Sequence, residues 1–125
     1  NYTDTTIANI YAFGNPLIFW SGLLAIIYSL FALKSKPIRF LVLCYLIFFL
    51  PWVFSPRIMF IYHYLPATPF MIIILAWALS HFPKKFILAF LIFNFALFTF
   101  FYPHWTGIPI PKDWLKFYFW LPTWK

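Results

Sequence analysis

The sequence predicts an all-α integral membrane protein with four transmembrane helices and a C-terminal amphipathic helix lying at the membrane interface. Of its 125 residues, 65% are hydrophobic and only 9% are charged, which is too little charge to cover the surface of a water-soluble domain. With their neighbours, the apolar runs approach the roughly 20 residues that cross a bilayer. These runs are residues 16–33, 40–54, 59–79 and 86–102.

Residues 1–15 are predicted to form an extracytoplasmic segment that leads into the first span. This segment ends in Gly14, Asn15 and Pro16. Asparagine is a preferred helix N-cap, and proline suits the first helical position. We therefore expect the first helix to begin at Pro16.

The third span holds two prolines, Pro66 and Pro69. A proline has no N–H, so each is expected to free the carbonyl four residues before it, which belongs to Tyr62 or Leu65. The sequence therefore predicts one span over residues 59–79, kinked at these prolines.

Residues 16–102 are thus predicted to form a four-span bundle, and residues 103–125 an aromatic-rich tail at the interface. The tail contains four tryptophans, a residue typical of head-group level. In a helix after Pro111, Lys112, Asp113 and Lys116 would share one arc, as expected of a helix lying on the membrane. The alternative is that this helix forms a lid over a site.

Basic residues are concentrated in the short connectors at 34–39 and 80–85. Short loops rich in Lys and Arg tend to stay in the cytoplasm, so both termini and residues 57–64 are predicted to be extracytoplasmic. In this setting the net charge of +7 is expected to meet anionic lipid head groups. No nucleic-acid partner is predicted.

The sequence offers little for catalysis. Its only carboxylates are Asp4 and Asp113, its three histidines are scattered, and Cys44 is its only cysteine. These residues form no metal-ligand pattern, and the three glycines form no phosphate-binding loop. We therefore predict no catalytic residue, metal site or cofactor in this chain.

The candidate binding site lies in residues 57–70. Ionisable groups near the hydrocarbon usually face protein or a wet cavity, and arginine suits a phosphate at head-group depth. Arg57, Tyr62 and His63 are therefore predicted to bind a phosphate at head-group depth, and Tyr64 and Asn15 to line the pocket. The alternative is that Arg57 extends to lipid head groups and His63 bonds a neighbouring helix.

Four sequence motifs resemble the C-terminal four-span region of the protein O-mannosyltransferase family, whose members are multi-pass glycosyltransferases of the GT-C type. They are GNP at 14–16, YHYLP at 62–66, and the tail motifs WTGIP at 105–109 and WLPTW at 120–124. The resemblance extends over nearly the whole chain.

The resemblance implies transfer of mannose from a polyprenyl-phosphate donor to Ser or Thr of translocated proteins. It also implies a bacterial or archaeal plasma membrane or the endoplasmic reticulum. The family's catalytic acidic residues lie in its N-terminal half, and nothing here matches them, so none is assigned. Because the chain begins with Asn1 rather than Met, we expect a piece of a longer enzyme, inactive alone, or a processed subunit.

A non-enzymatic function is the alternative. The chain could be a multi-pass scaffold or assembly subunit that binds lipid or partner helices. A transporter or channel is less well supported, because the sequence shows no inverted repeat and no ring of charged pore residues.

Overall fold

The structure is a computed structural model that describes residues 6–8, 10, 14–56 and 61–118. Six α-helices make up most of this part of the chain: α1 (Pro16–Ser29), α2 (Lys36–Val53), α3 (Ile61–Tyr64), α4 (Thr68–Leu79), α5 (Lys84–Thr106) and α6 (Leu115–Tyr118). Two 3-10 turns (Leu30–Ala32 and Lys112–Trp114) and two short strands, β1 (Thr6–Ile7) and β2 (Ile110–Pro111), complete it.

Two of these helices are long and apolar enough to cross a membrane. They are α2, with 18 residues, and α5, with 23. Pro16–Ala32 and α4 are apolar but shorter. The mostly helical architecture agrees with the predicted all-α membrane class, whereas four crossings stay a prediction.

The first helix begins where the sequence predicts. The backbone N–H of Leu17 donates to Oδ1 of Asn15 at 3.0 Å, and Pro16 occupies the first turn. The side chain thereby satisfies one of the N–H groups that a helix start leaves without a partner.

The predicted irregularity at Pro66 and Pro69 is a break between α3 and α4 rather than a kink within one helix. The third span itself stays a prediction. Leu65 N–H donates to the Tyr62 carbonyl at 3.3 Å, and Thr68 N–H donates to the Leu65 carbonyl at 3.1 Å. The carbonyls expected to be freed by Pro66 and Pro69 are therefore paired locally, three residues on. These bonds wind residues 65–67 into a tight turn, and α4 then restarts with Pro69 in its first turn.

The main core lies where α1 and α2 pack against α4. Met71 and Ile74 of α4 are fully buried, with Ala25 of α1 and Val42 of α2 beside them. At Gly22 the backbone of α1 comes so close to α4 that a Cβ atom would lie 2.5 Å from Sδ of Met71. A small residue at this position permits the close approach.

The fifth helix packs differently. Its buried residues, Phe101 and His104, lie near its C-terminal end, against Ile110 and Tyr118 of the tail. The ring centroids of His104 and Tyr118 are 4.0 Å apart. Much of the remaining apolar surface of α5 is exposed, as expected of a helix that meets lipid.

The end of α5 lies further along the chain than predicted. The helix predicted to end at 102 runs through Pro103 to Thr106, and Gly107 ends it in the left-handed region at φ 71°. As predicted, helical structure follows Pro111, beginning with the turn Lys112–Trp114. It is described only to Tyr118, which is buried against α5.

The structure also contains a short antiparallel strand pair, which the all-α prediction did not include. Thr6 pairs with Pro111 and Ile7 with Ile110. The segment before α1 and the segment after α5, which were predicted as separate extramembrane pieces, are therefore joined.

Candidate functional site

The predicted site lies at the end of the bundle where α2 finishes and α3 lies. The ring centroids of Tyr62 and His63 are 4.1 Å apart, and those of His63 and Trp52 are 4.3 Å apart. Tyr62 is 58% exposed and His63 is half-buried. Trp52, in the last turn of α2, is thus the neighbour that holds the His63 ring from one side.

The structure brings only part of the predicted phosphate site together. Tyr62 and His63 are neighbours in space, whereas Arg57 lies outside the described residues. The described chain resumes at Ile61, one residue before the pair.

Tyr64 faces the main core. Its hydroxyl lies 2.9 Å from the hydroxyl of Tyr45 and donates to Sδ of Met71 at 3.1 Å. Because its single proton points to Met71, Tyr45 is the donor in the tyrosine pair. The Tyr64 ring also packs against Phe19 of α1 and Phe49 of α2, at centroid distances of 5.6 and 5.7 Å.

Sequence reasoning missed Tyr45. Its hydroxyl sits in the middle of an apolar helix and is buried, and a buried hydroxyl needs a partner. An isolated tyrosine in a predicted span could therefore have indicated an interhelical bond, but the sequence could not say that Tyr64 supplies it.

Asn15 connects two helices. Besides capping α1, its Nδ2 donates to the backbone carbonyl of Asn94 in α5 at 3.3 Å. Both bonds go to the backbone, so the described contacts of Asn15 fix the start of α1 against the middle of α5. Within the described part of the chain, the buried Oδ1 of Asn94 itself has no hydrogen-bond partner.

A groove of about 560 Å³ lies away from this site, between α1, α4 and the beginning of α5. None of the predicted site residues lines it. It is mainly apolar, with Tyr28 and His81 among its polar lining residues. No local sequence pattern indicates this groove, because a groove between helices depends on how distant segments pack.

The described side chains offer no obvious metal centre. Within residues 6–8, 10, 14–56 and 61–118, no three His, Cys, Asp or Glu residues group where they could hold a metal ion. Cys44 is half-buried in α2 and is not in a disulfide. The Tyr62–His63 pair can offer hydrogen bonds and aromatic contact to a ligand.

Comparison with known families gives one match. A family model described as the C-terminal four TMM region of protein-O-mannosyltransferase matches residues 31–124. The matched range includes residues 62–66 and both tail motifs, whereas the GNP motif at 14–16 lies outside it. No curated protein and no solved structure matches the chain.

Proposed function

Because the chain belongs to the family of C-terminal four-TMM regions of protein-O-mannosyltransferase, we propose that it forms the membrane part of an enzyme that moves mannose from a polyprenyl-phosphate donor to Ser or Thr of proteins. The observation that carries the proposal is the family match over residues 31–124. In that enzyme, this membrane region would bind the donor lipid and pack against the catalytic part.

The donor phosphate is proposed to bind Arg57, Tyr62 and His63. Tyr62 and His63 lie next to each other at the surface of the bundle, backed by Trp52, which supports a polar binding face at this end. A guanidinium group can bond two phosphate oxygens at once, and charge-assisted bonds of this kind are the strong ones. In the sequence, Arg57 directly follows Pro56 and precedes Ile61, where α3 begins, by four residues.

Tyr64 and Asn15 are proposed to shape the pocket from behind. The bonds of Tyr64 to Tyr45 and Met71 fix α3 against α2 and α4, and His63 is its neighbour in that short helix. Asn15 fixes the start of α1 in the same way. These contacts fix α3 and the start of α1, the two segments proposed to line the pocket, against the rest of the bundle.

The catalytic base is proposed to come from another part of the enzyme. Sugar transfer to a hydroxyl needs a base within hydrogen-bond reach of that hydroxyl. The only carboxylates here are Asp4, which lies outside the described residues, and Asp113, which is exposed in the tail. The N-terminal half of the enzyme or a partner subunit would supply the base, and we expect this region alone to be inactive.

Four crossings and an extracytoplasmic site are part of the proposal. With their neighbouring residues, Pro16–Ala32 and α4 would complete two further crossings beside α2 and α5. The basic connectors would then lie in the cytoplasm, and the Tyr62–His63 pair would face the extracytoplasmic side of the plasma membrane or the lumen of the endoplasmic reticulum.

The decisive experiment measures mannosyl transfer by the full-length enzyme at varied donor concentration, with membrane levels matched between variants. Arg57→Lys is expected to raise the KM for the donor by roughly tenfold, because lysine cannot make the paired contact. His63→Ala is expected to lower kcat while the protein still folds.

Arg39→Lys is the matched control, since Arg39 is exposed at the start of α2, away from the site. Wild-type donor dependence in both Arg57→Lys and His63→Ala would show that these residues are structural. The phosphate site would then have to be sought in the rest of the enzyme.

A further inference from the structure

The groove between α1, α4 and the beginning of α5 has an apolar interior. Leu24 and Ala25 of α1, Leu75 of α4 and Phe90 of α5 line it. Its volume of about 560 Å³ lies within the range of small-molecule sites, roughly 300–1,000 Å³. From Ser21 to Tyr28 it follows two turns of α1, a depth of about 10 Å.

An aromatic cluster marks the mouth of the groove. Tyr28 stacks on Trp77 at a centroid distance of 5.5 Å, and the edge of His81 meets Trp77 at 4.9 Å. Nδ1 of His81 lies 3.0 Å from the Trp77 carbonyl oxygen, which only accepts, so Nδ1–H donates. Tyrosine and tryptophan gather at head-group level in membrane proteins. In the proposed four-span arrangement this end of the groove would therefore lie at a membrane surface, with the rest of the groove in the hydrocarbon.

Basic residues are close in sequence to the residues at this end of the groove. Phe82 and Phe86 line the groove and stack on each other at 4.7 Å, and the exposed Lys84 and Lys85 lie between them in sequence. The neighbouring connector between α1 and α2 adds Lys34, Lys36 and Arg39, all exposed. No carboxylate lies in either segment. Exposed basic residues next in sequence to the lining of an apolar groove complement an anionic head group with an acyl chain.

The buried residues of α5 lie far from the groove, at the other end of the helix. The buried residues of α5, Phe101 and His104, both lie near its C-terminal end. Near Lys84, the groove separates α5 from α1 and α4. An acyl chain in this space would supply the contacts that an empty gap lacks.

We propose that this groove binds an anionic phospholipid, with one acyl chain between α1, α4 and α5 and its phosphate near Lys84, Lys85 and His81. The site lies away from the proposed donor site at Tyr62 and His63. The phospholipid joins the beginning of α5 to the rest of the bundle.

The test uses the full-length protein, purified in mild detergent and stripped of lipid, then titrated with phosphatidylglycerol or phosphatidylcholine. Native mass spectrometry counts the lipids bound. We expect tighter binding of phosphatidylglycerol. Lys84→Gln with Lys85→Gln should weaken that binding by roughly fivefold for each lysine removed, with phosphatidylcholine unaffected. Equal binding of the two lipids by the wild type would overturn the proposal.

Lys112→Gln with Lys116→Gln is the matched charge control, because both lysines are exposed in the tail, away from the groove. This double variant should bind phosphatidylglycerol as the wild type does. An equal loss of phosphatidylglycerol binding in this control would show that the effect depends on net charge alone. It would overturn the proposed site.

A second pair of variants tests the acyl chain. Leu24, 66% exposed, lines the groove, whereas Leu23, 45% exposed, is its neighbour on α1 and does not. Leu24→Trp should fill the groove and lower retention of both lipids at least fivefold, while Leu23→Trp should not. Unchanged retention in Leu24→Trp, or displacement of phosphatidylglycerol by a polyprenyl phosphate at equal concentration, would overturn the assignment.

Discussion

The hydroxyl groups of Tyr45 and Tyr64 lie 2.9 Å apart and join α2 to the four-residue helix α3. So short a helix has little stability of its own. The tyrosine pair and the bond from Tyr64 to Met71, together with the ring contacts of Tyr64 and His63, therefore hold α3 against the bundle.

Tyr45→Phe and Tyr64→Phe are each expected to lower the free energy of unfolding by about 1–3 kcal/mol, because each leaves a partner hydroxyl without its bond. The double variant should lose less free energy of unfolding than the two single variants lose together, because neither hydroxyl is then left without its partner. Thermal unfolding in detergent measures all three. Strictly additive losses would show that the two hydroxyls do not interact.

Gly22→Ala should destabilise the bundle even though alanine favours the helix by about 1 kcal/mol. The added Cβ would lie 2.5 Å from Sδ of Met71, and overpacking costs about 1–3 kcal/mol. In a Met71→Ala background the clash disappears, so the same substitution should become stabilising. The melting temperature in the two backgrounds checks this reversal. A change in melting temperature of the same sign in both backgrounds would disprove the close contact.

Asn15→Ala should cost about 1 kcal/mol, because it removes the cap on α1 together with the bond to Asn94. Asn15→Asp keeps an acceptor for Leu17 N–H but places a carboxylate beside the Asn94 carbonyl. If Asn15 also lines the donor pocket, Asn15→Asp will raise the donor KM by repelling the phosphate. An unchanged KM with lowered stability would assign Asn15 to the fold alone.

The four-crossing topology can be tested with single cysteines in a Cys44→Ala background. Cysteines at Lys34 and Lys84 should be protected from a membrane-impermeant maleimide added from the extracytoplasmic side. A cysteine at Lys112 should react, because α5 lies between Lys84 and Lys112. Labelling of the Lys34→Cys and Lys84→Cys variants from opposite sides of the membrane would rule out the proposed arrangement.

Local chemistry explains which features could be predicted from sequence. A cap followed by proline fixes a helix start within a few residues, so the beginning of α1 at Pro16 was predictable. Pro66 and Pro69 allow either a kink or a break. The break depends on bonds made three residues on and on Tyr64 meeting α2 and α4, which no local pattern specifies.

Contacts between distant segments account for what the sequence could not predict. The groove exists because the beginning of α5 stands away from α1 and α4, although Asn15 of the first helix bonds the middle of α5. Apolar periodicity predicts that a helix crosses a membrane, but not which of its neighbours it touches. The position of the groove is therefore a tertiary property.

The pairing of β1 with β2 constrains the order of assembly. Thr6 leaves the ribosome long before its partner Pro111, so the strands can meet only after all the helices between them have been synthesised. Contacts so distant in sequence form late. A chain stalled before Ile110 would therefore have α1 to α5 without the strand pair that joins the segment before α1 to the segment after α5.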